Sequence, residues 1–466
     1  MQSRPLEYQS LKTVLQHMDA NVRFRNSLHM PSIRQVEKLV PLKISRFKMY
    51  DCNTEINDTS YYFGIIRHYP DGSEPEPNKE DPYGSDRDVD EFGCPIRNND
   101  VLLPGDISLR RENDSDDESD NETEEYHRDS LRVHTKAHEI RMDLKSKGLT
   151  EEDYHKRLEP NPEDPHDVEF RYSFKYTWDV LNFFIERDKY NLQPFDCRRD
   201  NTKPPFNCYI QLAIRKGKSE EERSIEQMHR FEYNKKLYEA VKYFNKFLFD
   251  GRRIPIQVNT LDYCSSVNEI IRLPVGFRVK ANKVSASSQT ATCNDFPVLV
   301  ENSENLDSLW ILGGLDQKTS QSLVVRNAKR VTIAEEGHFG IRRRGQVAEI
   351  GKLPNREISI MLTEPSDFDD ADAESLYFQM IQAWLSGDRQ IGASCCIGMG
   401  REKTAKGVLR MLQAQYENTE QTERCVTIHR NDFTKVEVFC FQFVGTERNM
   451  FDGPPGWVLK TRIVKA

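Results

Sequence analysis

Residues 206–214 read FNCYIQLAI, an apolar run with the length and the aromatic and β-branched content of a strand, and this run opens the stretch that decides the fold. A helix follows, and a left-handed turn at Gly251 is expected to end it. Two further strand-like runs, IPIQV at 254–258 and IIRLPVGFRV at 270–279, come after that turn. The sequence therefore predicts a strand–helix–strand core whose helix buries a face at spacings of three and four, formed by Leu237, Ala240, Val241, Phe244, Phe247 and Leu248.

The composition indicates a folded part joined to a long solvated part. The chain has 466 residues, enough for about three domains, yet only 37% of them are hydrophobic while 30% are charged. The net charge of −9 argues against nucleic acid or an anionic membrane surface as the main partner, because both attract basic proteins. We find no signal-peptide pattern, no apolar run of about eighteen residues and no Cys-x-x-Cys pair. These features predict an intracellular protein, cytoplasmic or nuclear, with no membrane span.

The predicted fold class is α+β, with an α/β body in which helices cover mixed and antiparallel sheets. Residues 1–50 form a short helical module with a first strand, 51–70 a strand region, 71–168 an acidic linker, 169–285 the core block and 286–466 a C-terminal α/β region. The linker is rich in Pro, Asp, Glu, Asn and Ser. Because such a segment has little apolar surface to bury, we expect it to be largely disordered, with an exposed helix.

The C-terminal region contains many short strand signals. Apolar runs at 323–325 and 358–362 are each predicted as a strand, and the last three, at 425–428, 436–441 and 458–463, as an antiparallel meander. The strand signals recur between asparagine and glycine turns, as in an irregular leucine-rich array. No fixed period is present, so the sequence does not predict a true repeat.

The first fifty residues show helical spacings and helix-capping signals. Asp19 is placed to cap one helix, and Pro31 to occupy the first turn of the next. The helix before them carries an apolar stripe formed by Leu11, Val14, Leu15 and Met18. A stripe of this kind either packs on the chain's own core or docks on another protein, and the sequence leaves both alternatives open.

The stretch YQSLKTVLQHMDANVRF at 8–24 resembles a divergent F-box, the small helical module that docks on Skp-type adaptors of cullin ubiquitin ligases. The whole chain resembles a nematode-expanded family of unknown function, the F-box C proteins. That resemblance rests on residues 11–44, DGRRIPIQV at 250–258, LPVG at 273–276 and LPNR at 353–356. The helix predicted at 379–385 and the strand that follows it are similar to part of an F-box-associated domain, the α/β domain found downstream of F-boxes in nematodes. The resemblance implies a protein that binds a Skp-type adaptor and presents an unidentified protein target to a ubiquitin ligase.

No residue pattern indicates a reaction, so we predict no catalytic, cofactor-binding or metal-binding residue. The segment GMGREKT at 398–404 places Glu402 where a phosphate-binding loop needs a glycine before its lysine. His134 and His138 lie one helical turn apart, with no further ligand at a recognisable spacing. Two serines have an acidic residue three positions on, which makes phosphorylation by an acidophilic kinase a hypothesis for Ser115 and Ser119.

The leading hypothesis is a non-catalytic protein-interaction scaffold that acts as a substrate-recognition adaptor of a ubiquitin ligase. Hydrophobic burial would supply most of its affinity for the Skp-type adaptor. One alternative is a partner-binding module without a ubiquitin link, whose N-terminal helices are packed into its own core. A third is an enzyme, which requires a pocket with convergent polar groups. The predicted docking face consists of Leu11, Val14, Leu15, Met18, Met30, Pro31 and Ile33.

Overall fold

A computed structural model describes residues 8–70, 72, 83–96, 101–108, 124–148, 178–218, 222–263, 270–287, 300–335, 347–362, 370–431, 433–442 and 456–466. The chain divides into two units. Unit 1 comprises Met1–Thr59, Leu102–Arg111 and Asn245–Ala466, and unit 2 comprises Ser60–Val101 and Glu112–Phe244. Helices occur together with a mixed parallel and antiparallel sheet, so the predicted α+β class is confirmed.

The helices and strands are numbered here in chain order. The helices are α1 (Tyr8–His17), α2 (Ala20–His29), α3 (Pro31–Leu39), α4 (Glu124–Ser146), α5 (Trp178–Arg199), α6 (Leu237–Phe249), α7 (Gln317–Gln321), α8 (Leu323–Asn327), α9 (Asp370–Ser386) and α10 (Glu402–Gln415). The strands are β1 (Lys43–Met49), β2 (Asn53–Ile56), β3 (Thr59–His68), β4 (Ile107–Ser108), β5 (Asn207–Lys216), β6 (Ser224–Glu232), β7 (Ile256–Tyr263), β8 (Ile270–Ile271), β9 (Val279–Ser287), β10 (Ser308–Leu312), β11 (Arg330–Glu335), β12 (Glu357–Leu362), β13 (Ser394–Met399), β14 (Thr419–Thr422), β15 (Cys425–Asn431), β16 (Thr434–Gln442) and β17 (Trp457–Lys465).

A large sheet organises unit 1. Its strand order is β14-β15-β16-β17-β13-β12-β11-β10-β9-β7-β1-β2. In the middle of the sheet the neighbouring strands β1, β7, β9, β10, β11, β12 and β13 pair in parallel. From β9 to β13, strands that are consecutive in the chain are also neighbours in the sheet. These five strands begin at residues 279, 308, 330, 357 and 394, so the array has no fixed period. At the other end, β15, β16 and β17 pair antiparallel, which confirms the predicted meander.

The parallel strands align their apolar side chains in rows across the sheet. One row is in register over seven strands, and each member is at most 2% exposed: Phe47, Leu261, Val284, Leu309, Val331, Ile358 and Cys395. Side chains alternate between the two faces of a strand, so this row defines the core-facing side. Each large side chain buried in this way stabilises the fold by about 1.5–3 kcal/mol.

Two predicted strands of unit 1 have a different structure. The run at 323–325 lies in the short helix α8, because a brief apolar run fits a buried helix as well as a strand. The run at 270–279 is divided between β8 and β9 by a turn at Gly276, whose φ is +74°. Buried Asn355 satisfies the carbonyl groups at the end of α8. Its side-chain NH₂ donates to the carbonyl oxygens of Val325 and Ala328, both at 2.7 Å.

Unit 2 contains β3, β5 and β6 in that order, with β5 and β6 antiparallel, and the helix pair α4 and α5. Helix α4 lies inside the segment expected to be a disordered linker with an exposed helix. It is instead packed: Val133 and Ala137 are buried against Leu181 and Ile185 of α5. Apolar side chains four residues apart give α4 a face to bury, which the charged composition of the segment obscured.

Candidate functional site

The N-terminal helices are fixed to the first hairpin of unit 1 by a shared cap. The Asp19 carboxylate caps α2 by accepting hydrogen bonds from the backbone N–H groups of Asn21 and Val22, at 2.9 and 3.4 Å. Its second oxygen accepts from the side-chain NH₂ of Asn57, at 2.8 Å. Asn57 has a φ of +57° and its side-chain oxygen accepts from the Ser45 N–H, at 2.8 Å. The cap that starts α2 therefore also fixes its position on β1 and β2.

A buried ion cluster, Arg23–Glu37–Arg252, joins α2, α3 and the segment after α6. Glu37 is 2% exposed and lies 2.8 Å from Arg23 and 2.7 Å from Arg252. Arg23 also donates to the carbonyl oxygens of Pro41 and Val40, at 2.8 and 3.0 Å. Burial lowers the pKa of Arg23; the Glu37 carboxylate opposes this shift, and the Arg252 cation adds to it. One carboxylate thus holds two cations from segments far apart in sequence.

An aromatic cluster completes the attachment of α2. Phe249, the last residue of α6, lies 6.0 Å from Phe24 of α2, 5.4 Å from Phe47 of β1 and 5.3 Å from Phe277, measured between ring centroids. All three pairs meet edge to face, the geometry that the ring quadrupole favours. The helical module is therefore part of the core of unit 1.

Six of the seven residues predicted to form the docking face keep a solvent-accessible side chain. Val14 and Met30 are each 43% exposed. Pro31 is exposed as well, at the first turn of α3 as predicted. The half-buried members are Leu11, Met18 and Ile33. Leu15 is 1% exposed and packs inside its own molecule, so it offers nothing to a partner.

Exposed apolar side chains are concentrated on these helices. Among the described residues, six of the twenty exposed large hydrophobic side chains lie within residues 8–39. We call these six the N-terminal apolar set: Tyr8, Val14, Val22, Leu28, Met30 and Leu39. Single exposed hydrophobic side chains are ordinary on a protein surface, whereas contiguous apolar patches are typical of interaction sites.

The second accessible surface is the polar face of the unit 1 sheet. One row in register crosses eight strands on this face, and we call it the open-face row: Lys48, Asp262, Ser285, Trp310, Thr332, Ser359, Cys396 and Lys460. All of its members except Asp262 are partly accessible. The indole Nε1 of Trp310 is buried and has no hydrogen-bond partner among the residues that the structure describes.

In unit 2, a fully buried carboxylate joins α4 and α5. Asp188 of α5 accepts a hydrogen bond from the Ser130 hydroxyl at 2.7 Å and lies 3.1 Å from His134 Nδ1. His127 Nδ1 lies 3.6 Å from its other oxygen. Burial alone would raise the pKa of Asp188, but the two imidazoles, the hydroxyl and the Arg187 charge outweigh it and hold the pKa well below its usual range.

The residues around Asp188 were missed in the sequence. In the sequence, His134 was considered together with His138, one helical turn further along α4. In the structure, His134 instead contacts Asp188. The available signal was the i, i+3, i+7 spacing of His127, Ser130 and His134, which places all three on one helical face. Among the described residues, no group of three or more His, Cys, Asp or Glu side chains could hold a metal ion.

The adjacent thiols of Cys395 and Cys396 and the Glu402 carboxylate show no arrangement for chemistry in the described part of the chain. Burial raises the pKa of the Cys395 and Cys396 thiols, which disfavours the nucleophilic thiolate. Glu402 begins α10 and binds Arg424 at 2.9 Å. Ser115 and Ser119 lie outside the described residues. No helix in the described part of the chain combines the length and apolar character needed to cross a bilayer.

The comparisons with known proteins concern the parallel array. A family described as "Domain of unknown function (DUF3557)" matches residues 236–400. The match begins at the start of α6 and ends just after β13, so it contains all of the parallel strands except β1. No curated protein matches the chain, and no solved structure does either.

Proposed function

We propose that this protein is a non-catalytic interaction scaffold whose N-terminal helices bind a Skp-type adaptor of a cullin ubiquitin ligase. It would act in the cytoplasm or nucleus and hand a protein target to the ligase by proximity. The observation that supports it best is the state of α1 to α3: they are fixed to unit 1 by buried contacts, yet the N-terminal apolar set remains exposed.

Exposed apolar side chains on rigidly held helices favour binding to a partner. Because the helices are already ordered, a partner that covers Val14 and Met30 would gain their hydrophobic burial without the cost of ordering the backbone. The open-face row would contact the target. Its members come from eight neighbouring strands, so they form a wide surface of polar groups around Trp310.

The test is binding of the full chain to a purified Skp-type adaptor, measured by isothermal titration calorimetry. The double variant Val14→Asp/Met30→Asp should weaken binding more than about tenfold, because each apolar side chain contributes about 1.5–3 kcal/mol when buried. Leu15→Asp is unsuitable, since Leu15 is part of the core and its loss would unfold the helix.

The matched control is Leu323→Asp, which places the same charge at an apolar side chain that is 62% exposed on α8. It should leave adaptor binding unchanged. Equal binding by the double variant, or no binding by the wild-type chain, would refute the adaptor proposal.

A second candidate function is a partner-binding module with no link to ubiquitin. The burial of Leu15 and of the Arg23–Glu37–Arg252 cluster favours it, because both make the helices part of the core of unit 1. In that case Val14→Asp/Met30→Asp leaves target binding intact. A Trp310→Ala substitution in the open-face row then removes target binding, measured by capture of the native target from cell extract and its identification by mass spectrometry.

A further inference from the structure

Unit 2 has a partly open cavity of about 570 Å³ between β3, the segment 83–96 and helices α4 and α5. That volume lies within the range of small-molecule sites, about 300–1,000 Å³. Four aromatic side chains form much of its wall: Tyr62, Phe183, Tyr190 and Phe195. A flat ring is the ligand group that such walls accommodate best, because aromatic faces and edges stack at short distance.

The charged groups of the cavity favour an anion. Arg67 and Arg187 line it, against one carboxylate, Asp86, so the guanidinium and carboxylate groups of the lining sum to +1. Arg67 is held in place: it donates to the Tyr190 carbonyl oxygen at 2.6 Å and stacks over that ring at 4.4 Å. Two cations fixed in a concave, aromatic-walled site focus a positive potential into it.

Arg187 has N–H groups to offer to a ligand. Its guanidinium stacks over Phe184 at 4.8 Å and comes within 3.7 Å of the Asp188 carboxylate, which is too long for a hydrogen bond. It donates no hydrogen bond to another described residue, and its side chain is 36% exposed. Ser130 and His134 bind one oxygen of Asp188, and the other oxygen orients Arg187 electrostatically from 3.7 Å, which leaves the guanidinium donors available.

His127 also lines the cavity and is 9% exposed. Its Nδ1 faces the Asp188 carboxylate at 3.6 Å, so this nitrogen belongs to the Asp188 cluster and is not offered to a ligand.

We propose that this cavity binds a small monoanionic molecule carrying a flat aromatic ring, with Arg187 donating to the anionic group and the aromatic wall contacting the ring. The site belongs to unit 2 and does not depend on the function proposed for the N-terminal helices, so either proposal can fail without the other.

The test uses the full chain and naphthoate as the probe, with its uncharged alcohol counterpart as the comparison ligand, in isothermal titration calorimetry. Naphthoate should bind at least about tenfold more tightly than the alcohol, since a hydrogen bond to a charged group is worth about that factor or more. Arg187→Gln should remove this advantage. Lys189→Gln removes one positive charge from the same helix outside the cavity lining, and should change nothing.

A measurement on the wild-type chain guards against a folding defect in the variant. Naphthoate should slow amide hydrogen exchange in α5 and in residues 83–96, and leave unit 1 unaffected. Equal affinity for naphthoate and the alcohol, unchanged affinity in Arg187→Gln, or protection located in unit 1 would each overturn the proposal.

Discussion

Unit 1 and unit 2 each bury a carboxylate, and they compensate its charge differently. In unit 1, Glu37 is balanced by Arg23 and Arg252, at 2.8 and 2.7 Å. In unit 2, Asp188 is balanced by a hydroxyl and by imidazoles, with a guanidinium only at 3.7 Å. A buried charge is tolerated only with such partners, because transfer from water into a protein interior costs several kcal/mol per ion. The comparison shows that two kinds of partner meet the same requirement.

The two clusters should differ in how they respond to change. Arginine stays charged at every accessible pH, so Glu37 holds its cations whenever it is itself ionised. Asp188 has a pKa below the 3.8 of an ordinary aspartate, so it adds stability that is complete above about pH 4. That contribution is lost as the pH falls through the lower, folded-state value.

The largest effect is expected from Glu37→Ala, which leaves two buried arginines without their carboxylate. We expect the free energy of unfolding of unit 1 to fall by about 3–5 kcal/mol. The measurement is the urea concentration at which the amides of residues 20–49 lose half of their protection from hydrogen exchange. The control is Asp307→Ala, which removes a carboxylate from the exposed ion pair with Lys329. It should not change this urea concentration, because solvent screens that pair. A small effect of Glu37→Ala would show that the arginines find other acceptors.

An intermediate effect is expected from Asp188→Asn, about 1–3 kcal/mol at neutral pH, because the charge-assisted hydrogen bonds are lost. The variant also tests the sign of the pH dependence. Wild-type unit 2 should lose stability relative to Asp188→Asn as the pH falls below about 4. Plotted against pH, the free energies of unfolding of the two proteins should therefore converge in acid. Parallel curves throughout this range would mean that Asp188 has an ordinary pKa.

The smallest effect is expected from His134→Ala, about 0.5–1.5 kcal/mol, because Ser130 still donates to the same Asp188 oxygen. The measurement is the thermal unfolding of unit 2, monitored through the hydrogen exchange of the α4 amides. The double variant His134→Ala/Asp188→Asn should cost little more than Asp188→Asn alone, since the two residues act on one contact. If the two single-variant losses of stability simply add, His134 and Asp188 act independently. The contrast between the Asp188 cluster and the Glu37 cluster would then no longer hold.

Much of the secondary structure was predictable because its signals are local. The Asp19 cap, Pro31 at the first turn of α3 and the left-handed Gly251 after α6 each depend on a few neighbouring residues. The apolar spacing of α6 and the antiparallel β15 to β17 also follow from local periodicity. The same information was insufficient at 323–325, where three apolar residues in α8 fit either a helix or a strand.

The candidate sites depended on contacts that periodicity does not encode. Val14 and Leu15 are neighbours on one predicted stripe, yet they are 43% and 1% exposed. Which side of α1 turns inward is set by the elements it packs against, and no pattern within α1 distinguishes the two residues. The cavity of unit 2 likewise gathers residues from β3, α4 and α5, far apart in the chain.

The sequence by itself determined the fold class, most strands and helices, and the apolar character of the N-terminal helices, because these follow from composition and from spacings within about one turn or one strand. Tertiary structure alone decided that successive strands stack in parallel, that α4 packs on α5, and which polar groups are buried together. Glu37 and Arg252 meet across 215 positions. Such a contact is fixed by how the whole core closes, since burial and pairing energies depend on neighbours in space.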